Sequence, residues 1–254
     1  MRSILCVSTF ALGLFFVPVV HTQQPATASA YLQTALASLN AASIQGMSLS
    51  GNSTVIAGAS TEDGVFTAQC STNGTSQLQL GVNVGPTAVN RQTSNGTPSG
   101  TWTDSEGQTH TIAGHNLMTP AAWFCPHVAI ASILQNQSLS LQLVGTQSRN
   151  GESVVHMTVT ASVPDASPAS TLNQHLSQFD IYLDAATYRP VEFDFNIHPD
   201  GNALIDIPVQ IQFSNYVESG GVWAPNTIER FANSTLELTL QVASATPVSV
   251  TAQN

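Results

Sequence analysis

Residues 179–197, FDIYLDAATYRPVEFDFNI, alternate apolar and polar side chains at both ends. Successive side chains of a strand point to opposite faces, so strict alternation places all the apolar ones on one face. The two ends therefore predict an antiparallel hairpin with one dry face that some other element must cover. The apolar positions are Phe179, Ile181, Leu183, Val191, Phe193, Phe195 and Ile197.

The same two-residue period continues towards the C-terminus, in residues 203–215 and 235–243. The turns between these segments are short, as in HPDGN, ESGG and ANS, and short turns predict a sequential antiparallel meander. Residues 85–100 are rich in Gly, Pro, Ser, Thr and Asn, and we expect a mobile loop there. The predicted strands are 47–57, 64–70, 77–84, 100–103, 108–112, 139–145, 153–163, 179–184, 191–197, 203–215, 222–231 and 235–243.

Helical signals are few. Residues 27–42 place Tyr31, Leu32, Ala35, Leu36 and Leu39 on one stripe at helical spacing. Residues 119–135 predict a helix that is interrupted or restarted at Pro126, and residues 164–176 predict a linker with at most a helical turn. The fold class is therefore mainly β (α+β): a large curved antiparallel sheet forming an incomplete barrel, covered by two or three short helices. Such a sheet can leave a cleft between its dry face and the helices.

Composition excludes several classes of partner. Charged residues make up only 8% of the 254 residues, against about 25% in an average protein. The five basic residues are all Arg, and the formal net charge is -10. No basic patch is available for phosphate backbones or anionic bilayers, so we expect neither nucleic acid nor an anionic membrane surface as a partner.

The N-terminus has the pattern of a secretory signal. A short basic start, Met1 to Ser3, precedes an apolar run from Ile4 to Val20, and Ala26-Thr27-Ala28 is a small-residue cleavage pattern. We therefore predict a signal peptide at residues 1–28 and a single domain at residues 29–254. The expected location is periplasmic or secreted, and no part of the mature chain is expected to be integral to the membrane; the alternative is a retained N-terminal anchor.

Removal of that signal takes Cys6 with it and leaves Cys70 and Cys125. An even number of cysteines in an exported protein favours a disulfide. We predict a Cys70–Cys125 bridge, the alternative being two separate buried thiols.

No residue pattern predicts a catalytic site, a metal or a cofactor. His110, His115 and His127 lie near Asp104 and Glu106 in the sequence, but their spacing matches no common metal motif. No G-x-S-x-G motif occurs. Asp180, Asp184, Glu192 and Asp194 could meet across one hairpin, where paired carboxylates could perform glycosidic chemistry or could simply form a solvated strand face.

One pattern resembles a known family. Asp184, Thr187 and Pro190 form a D-x-x-T-x-x-P turn between two strands. Asn215-Tyr216, Gly221-Val222, Pro225 and Ile228 then follow in SNYVESGGVWAPNTIERF. This order resembles the outer-membrane lipoprotein-sorting superfamily, the LolA-like periplasmic carriers and their regulatory relatives, in motif over residues 184–231 and in architecture over residues 27–243. The resemblance implies a signal-bearing protein with an incomplete β-barrel closed by helices, and some members bind acyl chains inside it.

These observations favour an exported, non-enzymatic protein that binds an apolar small molecule or a lipidated protein partner. The alternatives are an extracytoplasmic structural or protein-interaction domain with a packed core, and a hydrolase. Trp102 and the Trp123-Phe124 pair could line a ligand mouth or fill the core. The candidate ligand-binding residues are Trp123, Phe124, Phe179, Ile181, Leu183, Phe193, Phe195, Ile205, Ile207, Ile211 and Phe213.

Overall fold

The computed structural model describes residues 27–248, which form three α-helices, one short 3-10 helix and 13 strands. The helices are α1 (Ala28–Ser38), α2 (Pro126–Gln135) and α3 (Pro168–Ser177), with the 3-10 helix at Gly114–Leu117. The strands are β1 (Gly46–Ala57), β2 (Ser60–Ser71), β3 (Ser76–Leu80), β4 (Ala88–Ser94), β5 (Thr97–Thr103), β6 (Thr109–Thr111), β7 (Leu139–Arg149), β8 (Glu152–Ala161), β9 (Phe179–Asp184), β10 (Pro190–Ile197), β11 (Ile207–Ser219), β12 (Val222–Ala232) and β13 (Thr235–Pro247).

All 13 strands belong to one antiparallel sheet, in the order β6-β5-β4-β3-β2-β1-β13-β12-β11-β10-β9-β8-β7. Two meanders, β1 to β6 and β7 to β13, join where β1 pairs with β13. The edges of the sheet are β6 and β7, so the sheet does not close into a barrel. The chain between those edges, residues 112–138, must pass from one edge to the other. It contains the 3-10 helix and α2, and it covers the concave face.

The dry face predicted from the alternation packs against the helices. Phe179, Phe193 and Phe213 form a ladder across β9, β10 and β11, with ring centroids 4.9 Å and 4.8 Å apart. In α2 all residues from Pro126 to Ala131 are buried, as expected for a short helix that is apolar nearly all round. α1 contacts α2, and Thr27 caps α1 by accepting a hydrogen bond from the Ala30 amide. The predicted fold class is confirmed.

The predicted disulfide is also confirmed. Cys70 at the end of β2 is bonded to Cys125, the residue before α2, across 55 positions of sequence. Both cysteines are buried. The bridge fastens the start of the covering helix to the sheet, and a loop of this length corresponds to about 4 kcal/mol in the chain-entropy model.

Three local predictions were wrong. Residues 85–100 are not a loop, because β4 and β5 form a hairpin there, turning at Asn95-Gly96 with φ of 51° and 76°. The half of this hairpin around the turn, residues 92–99, is exposed, and no apolar alternation marked it. The 164–176 linker contains α3, with Ser167 as N-cap and Pro168 at its first turn. β11 begins at Ile207 rather than Ala203.

The predicted signal peptide falls mostly on residues 1–26, outside the described residues. Residues 27 and 28, at its predicted end, are the N-cap and first residue of α1. In the described part of the chain, no helix is both long enough and apolar enough to cross a membrane.

Candidate functional site

A cavity of about 540 Å³ lies between the two meanders on the concave side of the sheet. One wall comes from β1, β3, β4 and β5, the other from β10, β12 and β13, and the 112–125 connector covers it. Its volume falls within the usual range for small-molecule pockets, roughly 300–1,000 Å³. We call it the tryptophan cavity; its larger apolar lining residues include Val55, Ile56, Leu78, Leu80, Val89, Trp102, Ile112, Trp123, Phe195, Ile197 and Leu238.

Charged groups are few around this cavity. Arg230 and Glu237, on the paired strands β12 and β13, form an ion pair at its wall, and Asp200 contributes from the loop after β10. The ion pair balances its own charge. The remaining charged side chain that lines the cavity is Arg91, from β4.

Arg91 is buried and has no carboxylate partner among residues 27–248. Its Nη2 donates to the carbonyl oxygens of Leu117 at 2.8 Å and Thr119 at 2.7 Å, and its Nη1 donates to that of Pro120 at 3.4 Å. Burial lowers the pKa of Arg91 to about 10, so the guanidinium is still charged at neutral pH.

A second cavity of about 650 Å³ lies on the other side of Arg91, next to α2. We call it the helix cavity. Ala129, Ser132 and Ile133 of α2 line it, together with Val159 and Phe179 of the sheet. Arg91 and Thr119 line both cavities and therefore stand between them.

The structure separates the predicted ligand-binding residues into groups. Trp123 and Phe195 line the tryptophan cavity, and Phe179 lines the helix cavity. Ile207 is half-buried and lies opposite the cavity-lining Ile197 in the ladder, whereas Ile205 lies before β11 and is 52% exposed. The others are packed in the core with at most 3% exposure: Phe124, Ile181, Leu183, Phe193, Ile211 and Phe213.

Several lining residues were absent from the prediction. Leu78 and Leu80 alternate in QLQLGV, a signal that was present but was assigned only to a strand. Val89 and Arg91 lie in the segment predicted as a loop, so their inward direction was not foreseen. Trp102 lines the cavity, in line with the ligand-mouth alternative.

A polar cluster lies on the outer face of β7 to β10. Arg149 of β7 pairs with Glu192 and with Asp194, the latter at 2.5 Å. The Arg149 guanidinium also lies 4.0 Å from the Tyr182 ring centre, and Gln210 donates to Glu192 at 2.8 Å. Glu192 is only 3% exposed, so this is not the solvated strand face that alternation predicts.

The electrostatics of this cluster are dominated by carboxylates in contact. Asp180 lies opposite Asp194 in the β9–β10 ladder and accepts hydrogen bonds from His156 at 2.8 Å and Thr158 at 2.5 Å. Burial, followed by the charge of Glu192, raises the pKa of Asp194 to about 7. Burial likewise raises the pKa of the Tyr182 hydroxyl to about 12.

Asp184 is not part of this cluster. Its Oδ1 accepts hydrogen bonds from the Thr187 amide and hydroxyl, both at 2.7 Å, and this fixes the turn between β9 and β10. The D-x-x-T part of the motif is thus a turn-forming device.

The histidines near Asp104 are dispersed. His110 bonds to Asp104 at 2.8 Å on the exposed edge hairpin, and His127 is buried in α2 with its Nε2 at 2.8 Å from the Trp223 carbonyl. Burial lowers the pKa of His127 to about 4, so the neutral ring donates that bond at neutral pH. Within residues 27–248 no cluster of His, Cys, Asp and Glu is arranged to hold a metal ion.

Fold and cavity together define an open antiparallel half-barrel with an apolar, ligand-sized pocket beneath the 112–125 connector. No protein-family model matches the chain, and no curated protein matches its sequence. Solved structures of very different sequence do share the fold.

One such structure is a domain from Vibrio parahaemolyticus described as outer membrane lipoprotein-sorting; it is 11% identical with a TM-score of 0.56, over 89% of this chain and 94% of that one. A LolA superfamily protein from Nitrosomonas europaea is 12% identical with a TM-score of 0.55, over 89% and 96%. A DUF1329 family protein from Desulfovibrio piger is 11% identical with a TM-score of 0.54, over 87% and 93%. The resemblance to the LolA-like superfamily is thus confirmed at the level of the fold.

Proposed function

We propose that this protein is an exported, non-enzymatic carrier that holds an apolar ligand, or the acyl chain of a lipidated partner, in the tryptophan cavity. The observation that carries the proposal is the cavity of about 540 Å³, walled by aliphatic side chains and by Trp102, Trp123 and Phe195. Burial of an acyl chain there gains about 0.8 kcal/mol per methylene group, so a chain of moderate length needs no specific polar contact.

The fold supports this proposal. The Vibrio parahaemolyticus domain of the same fold is described as lipoprotein-sorting. We extend the proposal to the whole chain, with residues 1–28 as an export signal, residues 29–254 as one domain, and the periplasm or the exterior as its location. A disulfide between Cys70 and Cys125 suits such an oxidising compartment.

Within this proposal the ligand-contacting residues are fewer than the sequence predicted. Trp123 and Phe195 contact the ligand directly, together with Trp102 and the aliphatic side chains of β3 and β4. Phe193 and Phe213 make no ligand contact in this proposal, because their rings are packed against one another in the core.

Val89→Trp tests the proposal. Val89 is half-buried and lines the cavity, so an indole at this position should fill the cavity and leave the core in place. We expect the affinity for a fluorescent fatty acid to fall by at least about tenfold, which is 1.4 kcal/mol. Val65→Trp is the matched control, because Val65 lies in β2 and is 63% exposed. Unchanged uptake by Val89→Trp, in a protein of wild-type stability, would contradict the cavity assignment.

A protein-interaction domain with a fully packed core is the second candidate. It is favoured by the seven predicted ligand-binding residues, Phe179 among them, that are at most 3% exposed. On that reading, purified protein should take up no fluorescent fatty acid and show no co-purified lipid by native mass spectrometry. It should still retain one specific protein from an envelope extract.

A further inference from the structure

Among the residues that the structure describes, the guanidinium of Arg91 is a buried cation with no carboxylate partner. Arg149 and Arg230 both have carboxylate partners. Arg189 lies 4.1 Å from the Trp223 ring centre. Arg91 is 8% exposed, and its three hydrogen-bond acceptors among the described residues are all carbonyl oxygens. Because an uncompensated charge in an apolar interior is costly, such a group is well placed to accept an anionic ligand.

The donor count of Arg91 leaves room for a carboxylate. A guanidinium has five N–H donors. Both donors on Nη2 are used by Leu117 and Thr119, and one on Nη1 is used by Pro120. The Nε–H is buried and has no partner among the described residues, and one Nη1 donor also remains. These two donors point away from one another, since the Nε–H shares its edge of the guanidinium with Nη2; the Nε–H alone can therefore donate to one oxygen of a carboxylate.

The position of Arg91 gives this charge a role in ligand recognition. Arg91 and Thr119 line both cavities, so the guanidinium lies at the boundary between the tryptophan cavity and the helix cavity. A chain lying along Leu78, Val89 and Trp102 would bring its end group to this boundary. At the wall formed by Arg230, an anionic end group would meet a cation that Glu237 already neutralises.

We propose that Arg91 binds the anionic head of a single-chain amphiphile, a carboxylate of the fatty-acid type, whose hydrocarbon chain occupies the tryptophan cavity. This inference rests on the proposed function and narrows its ligand class, because the protein would bind an acid in preference to a neutral molecule with the same hydrocarbon chain. The competing explanation is that Arg91 only fastens the 117–120 segment to β4 through its three carbonyl contacts.

The test compares dodecanoate, dodecanol and dodecylammonium on the wild-type protein at pH 8, by displacement of a bound fluorescent apolar probe. The three ligands share one chain and differ in head-group charge, so the comparison requires no variant. We expect dodecanoate to bind at least about tenfold more tightly than dodecanol, and dodecylammonium to bind most weakly. Carboxyl-¹³C-labelled dodecanoate should titrate at a lower pH when bound than when free.

Arg91→Met should bring the affinities for dodecanoate and dodecanol within about threefold of one another, whereas Arg91→Lys should keep part of the preference. Arg189→Met is the control, because it makes the same change at a cation beside Trp223 that lines neither cavity; it should retain the wild-type preference. Equal affinity of the wild type for acid and alcohol would overturn the role of Arg91 and leave the carrier function standing. If the protein bound neither the fluorescent probe nor any of the three ligands, the carrier function itself would be contradicted.

Discussion

Asp194→Asn should make the protein more stable at alkaline pH, although it removes one member of an ion pair. In the folded protein burial and the charge of Glu192 raise the pKa of Asp194 from 3.8 to about 7, against the opposing effect of Arg149. Each pKa unit of difference between the folded and the unfolded state corresponds to 1.36 kcal/mol of stability. The penalty at pH 8 is therefore about 2–4 kcal/mol, the lower figure allowing for solvent screening of a side chain that is 27% exposed.

The direction of this pH effect on stability follows from the protonation of Asp194 in the folded and in the unfolded state. Below about pH 4 the carboxyl is protonated in both states and contributes nothing. Between about pH 4 and pH 7 the unfolded chain releases this proton while the folded protein keeps it, so stability falls as the pH rises. Above about pH 7 both states are ionised and the full penalty applies. Asparagine is never ionised, so it avoids the penalty.

Urea denaturation from pH 4 to pH 8 measures this effect. The difference in free energy of unfolding, variant minus wild type, should rise from near zero at pH 4 to about 2–4 kcal/mol at pH 8. Glu218→Gln, at an exposed position of β11, should change stability by less than about 0.5 kcal/mol at both ends of the range. If Asp194→Asn were destabilising at pH 8, the Arg149 ion pair would outweigh the desolvation of Asp194, and the reasoning would be refuted.

Two further predictions concern the fold. The mature protein unfolded without reductant should expose no thiol, and it should expose two after reduction; a free thiol in the unreduced protein would contradict the bridge. The double variant Cys70→Ser with Cys125→Ser should lower the free energy of unfolding by about 2–4 kcal/mol. Gly51→Ala should cost about 3 kcal/mol or more, because its Cβ would lie 1.9 Å from the Gln241 carbonyl oxygen where β1 meets β13, whereas Gly201→Ala meets nothing within 4 Å and should be nearly neutral by thermal denaturation.

The sheet could be predicted because its strands are half-buried. Phe179, Ile181 and Leu183 alternate with polar residues, and the period of two fixes both the strand and its inward face. The β4–β5 hairpin could not be predicted in this way, because the half around its turn, residues 92–99, is exposed and its strands carry no apolar alternation. Its Asn95-Gly96 turn was the available signal, since both residues adopt positive φ.

The candidate site could be predicted only in part. Alternation identifies a face but not the element that covers it, so it does not distinguish Phe193, packed in the core, from Phe195, which reaches the cavity. That distinction depends on the path of residues 112–138 between the two sheet edges, a long-range feature without a local pattern. The role of Arg91 could not be predicted for the same reason, because the carbonyl groups that it contacts belong to a segment 26–29 residues away.

Quenching of tryptophan fluorescence by a brominated fatty acid reports whether an apolar ligand enters the tryptophan cavity, because bromine quenches indoles only at short range. Of the three tryptophans, Trp102 and Trp123 line the cavity and Trp223 packs against Arg189 elsewhere. We predict saturable quenching in the wild type that persists in Trp223→Phe and disappears in the double variant Trp102→Phe with Trp123→Phe. Quenching that required Trp223, or none at all from a ligand shown to be bound, would contradict an apolar ligand in the tryptophan cavity.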